Sequence, residues 1–125
     1  MSNLTLLDCT LRDGGYYNDW KFNDNYVKKY IKDISKANVD IIEIGFHFLD
    51  KKKDYGNYAY IDNQILKKLN IKKNKKIALM FNGADFLKDE KKVFKKLRRI
   101  FNHKNNFFDT VRVAIHLKDL KKIKK

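Results

Sequence analysis

The chain has 125 residues, of which 43% are hydrophobic and 14% aromatic, and it carries a formal net charge of +14. This length suits one domain with a buried core, and no run of about eighteen apolar residues predicts a transmembrane helix. The N-terminus lacks the basic and apolar stretches of a signal peptide, and the single cysteine, Cys9, excludes an internal disulfide. We therefore expect a cytoplasmic protein.

Four nearly continuous apolar runs predict buried strands, at residues 3–8, 39–48, 76–82 and 109–116. Amphipathic helices are predicted at residues 23–38, 62–69 and 88–102, and a further helix begins within 117–125. Buried strands that alternate with amphipathic helices favour an α/β fold with one parallel sheet. We expect the strands to lie in the order in which they occur in the chain.

The positive charge is concentrated in the second part of the chain. Residues 1–50 hold six Lys/Arg and eight Asp/Glu, whereas residues 51–125 hold 23 and seven. A basic segment of this kind can bind nucleic acid or other polyanions. Lysines on exposed helix faces are also ordinary solvated surface, and we favour that interpretation because no aromatic RNA-binding signature is present.

Charged and polar side chains lie within these strands or at their ends. A buried carboxylate is costly unless it is paired or bound to a metal, and arginine binds carboxylates through two parallel hydrogen bonds. An internal ion-pair network and a functional site are therefore both open. The glycines of the first stretch slightly favour a site, since glycine lets a ligand approach the backbone. The residues are Asp8, Arg12, Asp13, Gly14, Gly15, Glu43, His47, Asn82, Arg112 and His116.

The stretch DCTLRDGG, residues 8–15, resembles the signature D-x-T-L-R-D-G of the DRE-TIM metallolyase superfamily. That group includes 3-hydroxy-3-methylglutaryl-CoA lyase and the 4-hydroxy-2-oxovalerate aldolases. IIEIGFH (41–47) and DTVRVAIH (109–116) resemble strands of the same family. The resemblance implies that residues 1–125 form about four βα units, the N-terminal half of a TIM (β/α)₈ barrel. A full barrel typically needs ~250 residues, so a truncated or split gene product is implied.

The resemblance also implies a divalent-metal-dependent carbon–carbon lyase or aldolase that acts on a 2-oxo acid or related acyl substrate through an enolate. Asp13 matches the family's metal ligand for Mn²⁺ or Mg²⁺, and Arg12 matches the arginine that stabilises the enolate. Glu43 matches the glutamate of the family's catalytic set, and Asp8 supports the site from behind. The substrate-binding residues implied are Gly14, Gly15 and Arg112.

Two features depart from the family. Tyr16 stands where the aldolases carry a histidine general base, and tyrosine, with an ordinary pKa of about 10, is a poor base at neutral pH. The family's H-x-H metal pair is absent, although His47 and His116 could join Asp13. The aromatic side chains of Tyr16, Tyr17 and Trp20 either wall a substrate pocket or cover the barrel mouth.

We therefore expect the isolated chain to be inactive unless a partner chain or self-association completes the barrel. Two alternatives are an inactive remnant of the family and a basic α/β module that binds nucleic acid or other anions. We expect the chain to bind a small 2-oxo acid or acyl substrate, and we expect neither a membrane nor nucleic acid as its partner.

Overall fold

The computed structural model describes residues 4–71 and 74–123. Its sheet has four parallel strands in the order β1-β2-β3-β4, which confirms the predicted α/β fold and strand order. The strands are β1 (Leu7–Asp8), β2 (Ile41–Phe46), β3 (Lys76–Asn82) and β4 (Thr110–Ala114). The helices are α1 (Thr10–Asn18), α2 (Asp24–Ile34), α3 (Asn63–Lys68), α4 (Gly83–Phe101) and α5 (Leu120–Ile123).

Three helices begin at side chains that cap their free backbone N–H groups. Asn23 accepts a hydrogen bond from the backbone of Asn25 at the start of α2, and Asp62 accepts two at the start of α3. Asn82 accepts one from Ala84 at the start of α4. Short polar residues at these positions stabilise the helix start by about 1 kcal/mol each, so the starts of these three helices are encoded locally.

The hydrophobic core lies on both faces of the two central strands. In β2 and β3 nearly every residue is buried, as the continuous apolar runs predict for strands covered on both sides. The two outer strands are more exposed, because each has a neighbouring strand on one side only among the described residues. In the same part of the chain, every helix is too short or too polar to span a lipid bilayer.

Helix α1 is the main departure from the predicted elements, since the apolar pattern indicates no helix over residues 10–18. Two glycines, Gly14 and Gly15, lower the intrinsic helix propensity of this segment. Side-chain contacts compensate: the backbone N–H of Thr10 donates a hydrogen bond to Asp8, and the indole of Trp20 donates one to the carbonyl of Arg12 at 3.0 Å. These hydrogen bonds and the packing of Trp20 therefore stabilise a helix that propensity does not predict.

Several element boundaries also differ from the prediction. β1 contains only its last two predicted residues, and Asn3 lies outside the described residues. β4 ends at Ala114, so His116 follows the strand. α4 begins at Gly83, five residues before the predicted start at Lys88, and a non-helical residue, Asp89, interrupts it. The early start follows from the Asn82 cap, which the apolar pattern does not report.

Candidate active site

A fully buried carboxylate, that of Glu43 in β2, lies between two arginines. Its Oε2 accepts hydrogen bonds from Arg12 Nε at 2.9 Å and from Arg112 Nη1 at 3.1 Å, and its Oε1 accepts from Arg112 Nη1 at 3.2 Å. Arg12 comes from α1 and Arg112 from β4, so three elements converge. An unpaired buried carboxylate would be costly. The contacts with the two arginines therefore stabilise the positions of α1, β2 and β4 relative to one another.

The strand register shows which side chains share the face that carries Glu43. Glu43 pairs with Ala78, Phe46 pairs with Met80, and Met80 pairs with Arg112. Paired residues in neighbouring strands, and residues two apart along one strand, point to the same side of a sheet. Phe46 and Met80 therefore lie on the face of the arginine–glutamate cluster. Sequence reasoning missed both. Phe46 is three residues from Glu43, a spacing that predicts opposite faces in a regular strand, and only the register shift between them brings it to this face.

Arg12 joins Asp13 to this cluster. Its side chain is 15% exposed, and it contacts Asp13 as well as Glu43. Burial lowers the pKa of Arg12, but the hydrogen bond and charge of Glu43 outweigh that effect and raise the pKa overall, so the guanidinium stays charged. Asp13 accepts a hydrogen bond from Cys9 Sγ at 3.1 Å, and that bond, with burial, raises the pKa of the thiol. Cys9 is thus a protonated, hydrogen-bonded thiol.

Asp8 lies behind the cluster rather than in it. It pairs with Ile42, the residue before Glu43 in β2, so its side chain points to the opposite face of the sheet. There it accepts hydrogen bonds from Thr10 and from the hydroxyl of Tyr30 on α2. Burial, together with the hydrogen bond to Asp8, raises the pKa of Tyr30. Asp8 therefore links β1 to α1 and α2 by hydrogen bonds, and it affects the position of Arg12 only through the position of α1.

The two glycines of α1 have different surroundings. A Cβ on Gly15 would overlap the indole of Trp20, whereas a Cβ on Gly14 would meet Phe22 at an ordinary 3.5 Å. Trp20 is only 2% exposed and packs in the core under α1. Close packing of Trp20 thus accounts for Gly15, and a role for either glycine in substrate binding stays a prediction.

Tyr16 lies on α1 one turn after Arg12, so the two side chains share a helix face. Its ring is 62% exposed and makes edge-to-face contacts with Trp20 at 4.9 Å and with Phe46 at 6.0 Å between ring centroids. Tyr17, by comparison, is 94% exposed. The structure therefore separates the three aromatic residues: Trp20 is core, Tyr16 covers the apolar side of the cluster, and Tyr17 faces solvent.

The described residues do not fit a complete site for Mn²⁺ or Mg²⁺. Within 4–71 and 74–123, no three His, Cys, Asp or Glu side chains are grouped to hold a metal ion. His47 is buried, donates from Nδ1 to the carbonyl of Ile61 at 2.7 Å and stacks on Phe81, so it does not join Asp13. Hard divalent ions need several oxygen or imidazole ligands in fixed geometry, and Asp13 supplies one.

Comparison with known proteins identifies the class of fold. The chain matches no protein-family model and no curated protein sequence. It is similar to a crystal structure of the N-terminal domain of a putative aldolase from Bacteroides vulgatus, with 34% identity and a TM-score of 0.78. The similarity covers 94% of this chain and 38% of that chain. The chain therefore has an aldolase-like α/β fold that corresponds to part of a barrel.

Proposed function

We propose that this chain contributes the arginine-bearing part of a carbon–carbon lyase or aldolase of the DRE-TIM metallolyase type. The observation that carries the proposal is the cluster of Arg12, Glu43 and Arg112 on one sheet face of an aldolase-like fold. The substrate is a 2-oxo acid or a related acyl compound, which reacts through an enolate.

The cluster is suited to hold an anion. Arg112 is 43% exposed in its side chain, and only its Nη1 bonds to Glu43. In the described part of the chain, Nε and Nη2 of Arg112 have no acceptor, so they are available to a ligand. Glu43 fixes the orientation of both guanidinium groups, and prearranged charged donors stabilise developing negative charge more than solvent does.

In aldol cleavage, a base removes the proton of the substrate hydroxyl group as the bond between the two carbon fragments breaks. The electron pair of that bond moves onto the carbonyl oxygen of the departing 2-oxo acid, which leaves as an enolate. In this proposal, Arg12 and Arg112 oppose that charge. The base is unassigned: Tyr16 occupies the position of the family's histidine, and its role as proton acceptor is a prediction.

A complete site needs groups from beyond the described residues. Asp13 is the one carboxylate proposed for Mn²⁺ or Mg²⁺, and a single carboxylate binds such ions weakly. Among the described residues, the sheet also has open edges at β1 and β4. Leu4 and Leu6, just before β1, are 85% and 49% exposed, and Val113 in β4 is 38% exposed. A partner chain or self-association that covers these edges is part of the proposal, because unpaired edges invite strand addition.

Binding of oxalate, a stable analogue of the pyruvate enolate, tests the proposal without requiring turnover. Calorimetric titration of the chain is expected to show binding that Arg112→Ala weakens by about tenfold or more, since a charge-assisted hydrogen bond is lost. Arg98→Ala, which removes an exposed arginine on α4, is the matched control and should leave the affinity unchanged. Equal affinities in the two variants would contradict the proposed site.

A further inference from the structure

An apolar row lies beside the guanidinium groups on the same sheet face. Arg112, Met80 and Phe46 are successive register partners across β4, β3 and β2. Neighbouring strands are about 4.8 Å apart, so the backbone positions at the two ends of this row are roughly 10 Å apart. The row has an exposed cation, Arg112, at one end and a buried aromatic ring, Phe46, at the other, and this polarity is complementary to a small amphiphilic anion.

A rigid aromatic cluster forms the apolar end. The ring of Phe46 stacks on Phe48 at 4.6 Å and meets Trp20 edge-to-face at 5.3 Å between centroids. Phe46 and Trp20 are each 2% exposed, whereas Tyr16, which packs against both, is 62% exposed. Tyr16 is therefore the member of the cluster that offers its ring to a ligand, and the buried rings hold it in place.

Tyr16 comes from the same helix as Arg12, the arginine that shares the Glu43 carboxylate with Arg112. Arg12 and Tyr16 are four residues apart on α1, so their side chains lie next to each other on one helix face. Trp20 fixes the rotation of α1, because its indole bonds to the Arg12 carbonyl and fills the space beside Gly15. The packing of Trp20 under α1 thus sets where the Tyr16 ring lies relative to Arg12.

We propose that Tyr16 binds the apolar or aromatic substituent of a carboxylate ligand whose charged end lies against Arg112. Phe46, which is buried, packs beneath the Tyr16 ring, and Met80 lies between Phe46 and Arg112 in the strand register. This inference rests on the proposed function and narrows its substrate class to carboxylates that carry an apolar group. Tyr16 then determines substrate specificity, a different role from the proton transfer that its position in the motif implies.

Two unreactive carboxylates, 3-phenylpropionate and propionate, test the inference by calorimetric titration, with 3-phenylpropan-1-ol as the uncharged probe. The chain is expected to bind 3-phenylpropionate about tenfold more tightly than propionate, because one aromatic contact and its buried area are added. The alcohol, which lacks the charge, should bind more weakly than 3-phenylpropionate. Trp20 is the single tryptophan, so its fluorescence gives a second readout next to the site.

Variants separate a specific role of Tyr16 from general loss of structure. Tyr16→Ala should remove the preference for 3-phenylpropionate over propionate, and Tyr16→Phe should keep it. Tyr17→Ala removes a neighbouring tyrosine that is 94% exposed, and it should behave like the unaltered chain.

The possible failures are distinguishable. If propionate binds and depends on Arg112 but 3-phenylpropionate binds no more tightly, the inference about Tyr16 is wrong and the proposed function stands. An equal loss of preference in Tyr17→Ala and Tyr16→Ala would also overturn it. If neither carboxylate binds, the arginine site of the proposed function fails together with the inference.

Discussion

Replacement of Glu43 by glutamine tests the central contact of the structure. The carboxylate is fully buried and accepts hydrogen bonds from both Arg12 and Arg112. The amide has a similar shape, but it has no charge and turns an N–H group toward two guanidinium donors. Arg12, 15% exposed, would then be a nearly buried cation without that carboxylate, whereas Arg112, 43% exposed, could be hydrated.

The expected loss of stability is about 3 kcal/mol, the lower end of the range for removing one partner of a buried ion pair, since the solvent can reach Arg112. Small domains are stable by about 5–15 kcal/mol, so this is a large fraction of the total. With a urea m-value of about 2 kcal/mol/M, the unfolding midpoint should fall by about 1.5 M. The fluorescence of Trp20, the single tryptophan, reports the transition.

Asp50→Asn is the matched control. Asp50 forms ion pairs with Lys88 and Lys92, but all three side chains are about half exposed or more, and such surface pairs contribute little. Its urea midpoint should stay close to that of the unaltered chain. A Glu43→Gln midpoint that is indistinguishable from the Asp50→Asn midpoint would refute the view that the buried carboxylate holds α1, β2 and β4 together.

Four further outcomes are expected. Gly15→Ala should lower the urea midpoint because its Cβ would overlap Trp20, whereas Gly14→Ala should leave the midpoint unchanged or raise it, since alanine favours a helix. A lower midpoint in Gly14→Ala than in Gly15→Ala would contradict the packing of α1. Burial lowers the pKa of His47 below 6.5, so the unfolded chain binds a proton at this imidazole more strongly than the folded chain does. The free energy of unfolding should therefore keep its full value above pH 6.5 and decrease as the pH falls below 6.5, and the decrease should be shallower in His47→Asn. Calorimetric titration should show weak Mn²⁺ binding that Asp13→Asn removes, and tight binding that survives this change would exclude Asp13 as the ligand. Binding of a single-stranded oligonucleotide should be weak and should fall steeply with salt, because phosphate contacts release counterions; tight binding at physiological salt would favour the basic-module alternative.

Apart from α1, the sheet and the helices that pack against it are predictable from the amino-acid sequence. A central strand of a parallel sheet is buried on both faces, so β2 and β3 must be nearly continuous apolar runs, and such runs are visible without a structure. The sequence also identified Arg12, Glu43 and Arg112 as charged residues at strands, but it left an ion-pair network and a functional site equally open.

The contacts among these three residues, by contrast, depend on the fold. Glu43 is separated from Arg12 by 31 residues and from Arg112 by 69, so no local pattern encodes their contacts. Helix α1 likewise depends on packing against β2, because its glycines disfavour a helix and it is stabilised by the Trp20 indole, which is itself held against Phe46. The exposed ring of Tyr16 stands beside Arg12 for the same reason: the rotation of α1 is set by the core beneath it, which the residues of α1 alone do not specify.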